Sequence, residues 1–231
     1  MPNYIKLGNL RIEIPEPANN GGGGGGGGSS SLTNGLLAFY NLSDLTDASG
    51  NGNTLTNNGD VTFSSGKIGN AATFNGNNYL NNSLFNYNAS TDWTISLWLN
   101  VNQLGGAQVF SLANALDIYI GNAGGYGIVI NNAQADNSSS IRLVNFGSWY
   151  HYVATKYNGL TKTYLDNISA TPSTQQNFGI GSNLGIATYD SGQINGIDGQ
   201  IDAVGFWNRA LSDAEITELY NAGAGKEHPF S

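Results

Sequence analysis

The chain is predicted to be an all-β protein, a two-sheet antiparallel jelly-roll sandwich closed by one short C-terminal helix. Three observations predict it. Short apolar alternations recur from Leu32 onward between Asn/Gly clusters, no long helical period separates them, and a single helix signal stands near the end of the chain. Closely spaced strands of this kind bury one face each and pair with their neighbours across tight turns.

The first element precedes the sandwich. Leu10, Ile12 and Ile14 alternate with Arg11 and Glu13, the period of a half-buried strand, and Pro15 and Pro17 end it. With no partner strand evident in its own segment, it is predicted to pair with another copy or a host protein, so residues 1–20 are assigned as an N-terminal anchor peptide. A disordered terminus is the alternative. Eight consecutive glycines, Gly21 to Gly28, then open a Gly/Ser linker over 21–31. Polyglycine buries no side chain and loses the most backbone entropy on ordering, so the run acts as a tether. Its eleven residues span about 18 Å root-mean-square if flexible.

The sandwich is assigned to 32–222, with a tail over 223–231. Its predicted strands are LLAFYNL, NAATFNG, WTISLWLNV, AQVFSLA, LDIYIG, YGIVIN, IRLVNF, WYHYVATKY, KTYLDN, NLGIATY and IDAVGFWN. In WTISLWLNV, Trp93, Ile95, Leu97 and Leu99 share one face, while Thr94, Ser96, Trp98 and Asn100 form a mixed second face, the pattern of a central strand covered on both sides. At the C-terminal end, Ser212 followed by Glu215 fits a capping box; Ala214, Ile216, Leu219 and Tyr220 give a helical stripe, and Gly223 is the predicted stop.

Composition removes several function classes. There is no cysteine, hence no disulfide framework, thiolate metal site or cysteine nucleophile. A net charge of -8 argues against a nucleic-acid backbone or an anionic membrane as partner, and neither a secretory signal nor a membrane-spanning stretch is evident.

The segments GLLAFYNLSDLTDASGNGNTLTNNG, GKIGNAATFNGNNYL, WTISLWLNV, WYHYVATKYNGLTKTYLDN and IDGQIDAVGFWNRALSDAEITELYN, in that order, resemble laminin-G-like domains of the concanavalin A-like lectin/glucanase superfamily over about residues 35–222. The resemblance implies two curved sheets with the first and last strands side by side. It also implies a structural calcium site built from the D-x-S-G-N loop and a late carboxylate, here Asp47, Ser49, Asn51 and Asp202. Calcium takes six to eight hard oxygen ligands, which these side chains and nearby carbonyls could supply, with affinity on the order of 10⁻⁴ M. The alternative is an Asx-turn shaped by Asp47 and Asn51, with Asp202 solvated at a strand edge.

Some members of that superfamily hydrolyse glycans with an E-x-D-x-x-E strand that holds two carboxyl groups about 5 Å apart. Here all five glutamates, Glu13, Glu16, Glu215, Glu218 and Glu227, lie outside the strand-rich region. Asp190, Asp198 and Asp202 are close in sequence but have no evident apolar pocket to raise a proton donor's pKa. His151 sits in a strand pattern and is expected to be a packed structural imidazole. The chain is therefore predicted to be non-catalytic.

Recognition remains. Loops 102–108, 131–140 and 185–195, with Tyr126, Tyr189 and Asp190, are the candidate ligand contacts, where an aromatic ring stacks on a sugar and polar groups read its hydroxyls. Anchor, tether and head together suggest a bacteriophage virion surface protein, a decoration or head/tail fibre protein. Its anchor would bind other virion proteins, its head would display a glycan- or host-binding surface, and it would be a homo-oligomer such as a trimer. A purely structural cementing subunit and a bacterial surface adhesin are the alternatives.

Overall fold

A computed structural model describes residues 4–7, 10–13, 30–102, 107–121, 127–132, 137–142, 145–170, 178–189 and 195–230. Among these residues, two antiparallel sheets form the predicted sandwich. One has seven strands in the order β12 (Asn137–Arg142), β11 (Gly127–Asn132), β10 (Leu116–Gly121), β9 (Ala107–Ala113), β16 (Ile180–Ile186), β7 (Tyr79–Asn88) and β4 (Thr56–Asn58). The other has eight, β15 (Ile168–Ser169), β14 (Leu160–Leu165), β13 (Trp149–Tyr157), β8 (Trp93–Val101), β17 (Asp198–Trp207), β6 (Asn70–Asn75) and β5 (Thr62–Ser65), with β3 (Leu36–Tyr40) joining β17 beside this path.

The last strand is the hub. β8 runs along one edge of β17; along the other, β6 pairs with Asp198–Ile201 and β3 with Val204–Trp207. First and last strands of the domain are thus adjacent. The two partners part at Asp202 and Ala203, where Ala203 takes a positive φ of 47°.

Two apolar layers hold the sheets. Between them lie Trp93, Ile95, Leu97 and Leu99 of β8 with Phe74, Leu80, Phe110, Leu112, Ile118, Ile120, Leu184 and Phe206. Trp98 faces the other way, as the alternation predicts, and packs with Phe39, Trp207, Ile216, Leu219 and Phe230 on the outer face of the eight-stranded sheet. Helix α1 (Asp213–Tyr220) covers that face, and burying Ile216 and Leu219 contributes about 1.5–3 kcal/mol each. Its capping box is formed: the Glu215 amide donates to Ser212 Oγ and the Ser212 amide to the Glu215 carboxylate.

Several details differ from the sequence pattern. The helix stops at Asn221, which adopts the left-handed conformation ahead of Gly223, and Ala214 is exposed. β7 is a ten-residue strand that the Asn-rich run conceals, held by pairing with β16 on one edge and β4 on the other. The tail packs back onto the domain, burying Phe230 against Phe39 with ring centroids 5.2 Å apart. Ser30 already belongs to the head: its Oγ donates to Glu218 and accepts from the Leu32 amide.

The strand predicted to stand without a partner in its own segment has one. β2 (Leu10–Glu13) pairs antiparallel with β1 (Tyr4–Leu7), in a register that sets Leu7 opposite Leu10 and Ile5 opposite Ile12. The alternation of Tyr4–Leu7 is too short to stand out, and the hairpin appears only once pairing is considered. Ile14 lies outside the described residues.

Candidate functional site

The outer face of the seven-stranded sheet carries an unusual row. Cross-strand register aligns Thr56, Asn81, Gly185, Ser111 and Asp117 on β4, β7, β16, β9 and β10. Their strand neighbours Leu80, Ile186, Leu112, Phe110 and Ile118 belong to the inter-sheet core, so the row faces away from it. A polar row on a solvated sheet is ordinary. Thr56 at its edge is exposed, but further in the row is buried, with Ser111 1% and Asp117 5% exposed.

Part of the row is internally bonded. Asn58 Nδ2 donates to Asn81 Oδ1, and Asn81 Nδ2 donates to Asn183 Oδ1, each at 2.9 Å. Asn183 enters the face because it occupies a bulge, with φ 53°, between Ser182 and Leu184. Fully buried Thr188 lies over Gly185: a Cβ at Gly185 would sit 2.5 Å from Thr188 Cγ2 and 2.7 Å from Ser111 Oγ. Only glycine fits beneath that close approach.

Three buried atoms on this face have no hydrogen-bond partner among the described residues: Ser111 Oγ, Asn183 Nδ2 and Gln108 Oε1. Such groups are rare because each forfeits its hydration, at about 1–3 kcal/mol, without compensation. Beside them Tyr119, register partner of Gln108, lays its ring near Gly121. Burial raises the Tyr119 pKa, and the nearby charge of Asp117 raises it further. The face thus offers donors, acceptors, one carboxylate and one aromatic ring. That set suits a neutral polyhydroxylated ligand.

A concavity of about 590 Å³ lies on the other side of the sandwich, between the β13–β14 hairpin and the start of α1. Its polar walls are closed on themselves. Asp213 takes Lys162 at 3.1 Å and Tyr164 Oη at 2.5 Å, while Arg209 pairs with Glu215 at 2.6 and 2.9 Å. No residue lining this concavity carries an unpartnered buried atom among the described residues, whereas three such atoms lie on the seven-stranded face, which favours it as the site.

Of the predicted ligand residues, Tyr189 follows Thr188 at the edge of this face and is 40% exposed. Tyr126 and Asp190 lie outside the described residues, as do 103–106, 133–136 and 190–194 of the candidate loops. The residues singled out from the sequence lie on loops, and none of Gln108, Ser111, Asp117, Tyr119 and Asn183 of this sheet face is among them. A signal was present: Asp117 and Tyr119 interrupt the apolar run of LDIYIG, as Gln108 and Ser111 do in AQVFSLA.

The predicted calcium ligands separate into two places. Asp47 accepts the amides of Phe39 and Ser49 on Oδ1 and that of Asn53 on Oδ2, while Asn51 Nδ2 donates to the carbonyls of Leu36 and Leu37. Ser49 lies in the same loop, its Oγ 3.5 Å from the Leu37 carbonyl. The Phe39 carbonyl accepts from Ala48, so both backbone groups of Phe39 point toward this loop and away from its register partner Gly205 on β17. Asp202 lies across β3 on that strand. The four side chains do not converge on one ion, and the loop is organised by amide donors, including the Asx-turn from Asp47 to Ser49.

Asp202 is not solvated at a strand edge. It is fully buried in the hub strand, with Oδ2 accepting the amides of Lys67 and Ile68 at 2.8 Å each. Burial pushes its pKa up to about 7; the Ile68 and Lys67 amides oppose the rise, and the charge of Glu227 adds to it. The apolar surroundings that the sequence did not reveal are present around this carboxyl. Asp198 accepts from Asn102 Nδ2 at the start of β17. His151 is buried, bonded through Nε2 to Ser96 Oγ at 2.9 Å, and packed against both Trp98 and Tyr220, which also contact each other; burial lowers its pKa to about 3.

Residues 69–217 match the Laminin_G_3 family, described as the concanavalin A-like lectin/glucanases superfamily. A sequence search of curated proteins finds no match. Among solved structures, the chain is similar to domain 4 of AbnA, a GH43 extracellular arabinanase from Geobacillus stearothermophilus in complex with arabinotriose. The TM-score is 0.66 at 22% identity, over 83% of this chain and 98% of that one. The botulinum neurotoxin serotype D binding domain gives 0.66 at 12% identity, over 83% of this chain and 53% of that one. A mutant Trypanosoma rangeli sialidase displaying trans-sialidase activity gives 0.60 at 16%, over 87% and 35%. At such identities the likeness is one of fold.

Proposed function

The chain belongs to the concanavalin A-like lectin/glucanase superfamily, and from that premise we propose that it is a non-catalytic glycan-binding protein of a bacteriophage virion surface. The observation that carries the binding reading is the set of buried, unpartnered polar atoms of Ser111, Asn183 and Gln108 beside Tyr119 on one sheet face. A sugar hydroxyl can both donate and accept, so it satisfies all three kinds of atom, while the tyrosine ring covers an apolar sugar face. Tyr189, with Tyr126 and Asp190, would form the rim. The arabinotriose complex of AbnA domain 4 supports a sugar as the ligand class.

The virion reading rests on the chain's layout. The N-terminal hairpin engages other virion proteins, the glycine run spaces the head away, and a head of low charge displays its polar face outward. Several heads on one mount, as in a trimer, would raise weak single-site affinity by roughly 10² to 10⁴. The placement of the glutamates supports a non-catalytic head: Glu215 and Glu218 lie on α1 and Glu227 beyond it.

A glycan array probed with the full chain, followed by Ser111→Ala and Asn183→Ala against the strongest hit, tests the site. Each variant is expected to weaken binding at least tenfold with an unchanged melting temperature. Binding that ignores both substitutions would refute the site, and an array without hits would refute the ligand class. Imaging of the native assembly tests the location; a free monomer with no particle would overturn it.

A further inference from the structure

The concavity of about 590 Å³ beside α1 opens through two exposed apolar side chains. Tyr157 and Leu160 are register partners on either side of the Asn158–Gly159 turn, 62% and 46% exposed. Behind them, buried Tyr164 and Leu211 form the floor. The charged groups of the walls are already paired, Lys162 with Asp213 and Arg209 with Glu215, so the opening suits an apolar occupant that brings no charge into it.

The chain enters the head at this wall. Ser30 Oγ donates to Glu218 on α1, while Arg209, which lines the concavity, donates from Nη2 to the Ser31 carbonyl at 2.9 Å and from Nε to the Asn34 carbonyl at 2.7 Å. Residues 14–29 lie outside the described residues, and they begin Ile14-Pro15-Glu16-Pro17, with the twelve residues 18–29 between Pro17 and Ser30. Two prolines with fixed φ, each turning the residue before it away from helix, favour a polyproline II segment. At three residues per turn, Ile14 and Pro17 fall on one edge about 9 Å apart, Pro15 on the next, and Glu16 alone on the third. Segments of that form dock in grooves with aromatic walls, and their stiffness lowers the entropy lost on docking.

We propose that Ile14–Pro17 docks in the concavity of its own chain, its apolar edges against Tyr157 and Leu160 and Glu16 in water. The twelve linking residues reach at most about 40 Å and span about 20 Å root-mean-square if flexible, enough to return from Ser30 to a wall that already touches Ser31. A link of this length holds the segment at millimolar effective concentration, so a contact with an intrinsic Kd of about 1 mM is about half occupied. A second copy would have to reach that concentration in free solution to compete. Docking shortens the stand-off between the N-terminal hairpin and the head, and release restores the full tether. Neither the glycan nor the particle enters this inference.

The chain has no cysteine, so Ala18→Cys carries a single spin label on the full-length protein, read by NMR. The label is expected to relax the amide protons of Tyr157 to Leu160 and of Ala210 to Ser212 at least tenfold more than in the same chain with Pro15→Gly and Pro17→Gly, which leave the head untouched. Tyr157→Ser with Leu160→Ser, at two exposed positions, should abolish the effect at Ala210 to Ser212 with an unchanged melting temperature. Relaxation that is equal with and without the prolines would overturn the proposal, as would relaxation that survives the loss of Tyr157 and Leu160. So would an isotope-labelled chain relaxed by a spin label on a separate chain, which would give the concavity to a second copy. None of these substitutions lies on the seven-stranded face, so the outcome is read apart from the glycan array.

Discussion

Glu215→Gln is expected to destabilise the head by about 1–2 kcal/mol at neutral pH and to lose that effect toward pH 2. Burial raises the pKa of Glu215, but the two bonds from Arg209 at 2.6 and 2.9 Å, with those from Ser212, outweigh it and hold the carboxyl at about 2, against an ordinary 4.5. A shift of about 2.5 units at about 1.4 kcal/mol each sets a ceiling of about 3 kcal/mol. The Arg209 and Glu215 side chains are 25% and 12% exposed, so solvent screening lowers the expected value. The sign follows from proton counting: between pH 4.5 and 2 the unfolded chain binds a proton that the folded chain does not. The stabilisation is therefore complete above about pH 4.5 and lost as pH falls through about 2. Urea unfolding of parent and variant from pH 7.5 to 3 reads it directly. A difference that does not shrink with acid would refute the assignment of this stability to the carboxylate charge.

Two further outcomes follow from buried groups. Burial keeps His151 neutral down to about pH 3 while the unfolded imidazole charges near 6.5, so the parent should lose stability as pH falls from about 6.5 toward 3. His151→Phe keeps a ring against Trp98 and Tyr220 and should flatten that slope in thermal melts; an unchanged slope would exclude His151 as its source. Phe230→Ala should cost about 3 kcal/mol, because Phe230 is 7% exposed and meets Phe39 edge-on, and should lower the melting temperature by roughly 6–12 °C. A shift below 2 °C would mean that the tail adds no stability.

Legibility in the sequence followed the range of the interactions. The capping box of α1 was readable because Ser212 and Glu215 satisfy each other within one helical turn. The two faces of β8 were readable because a strand alternates by geometry alone. β7 was hidden, since Tyr79–Asn88 is rich in asparagine and takes strand form only through neighbours that arrive from distant parts of the chain. The N-terminal hairpin was hidden for the same reason on a smaller scale.

By itself the sequence determined that this chain is an antiparallel sandwich with a capped closing helix, because composition and period are local properties that each segment carries unaided. Tertiary structure alone decided which polar residues come together. Ser111, Asn183 and Gln108 become one face only when β9 and β16 lie side by side, and Asn41 reaches the His228 carbonyl only when the tail folds back onto the domain. Those positions are fixed by strand register and by burial, and both are set between segments far apart in the chain.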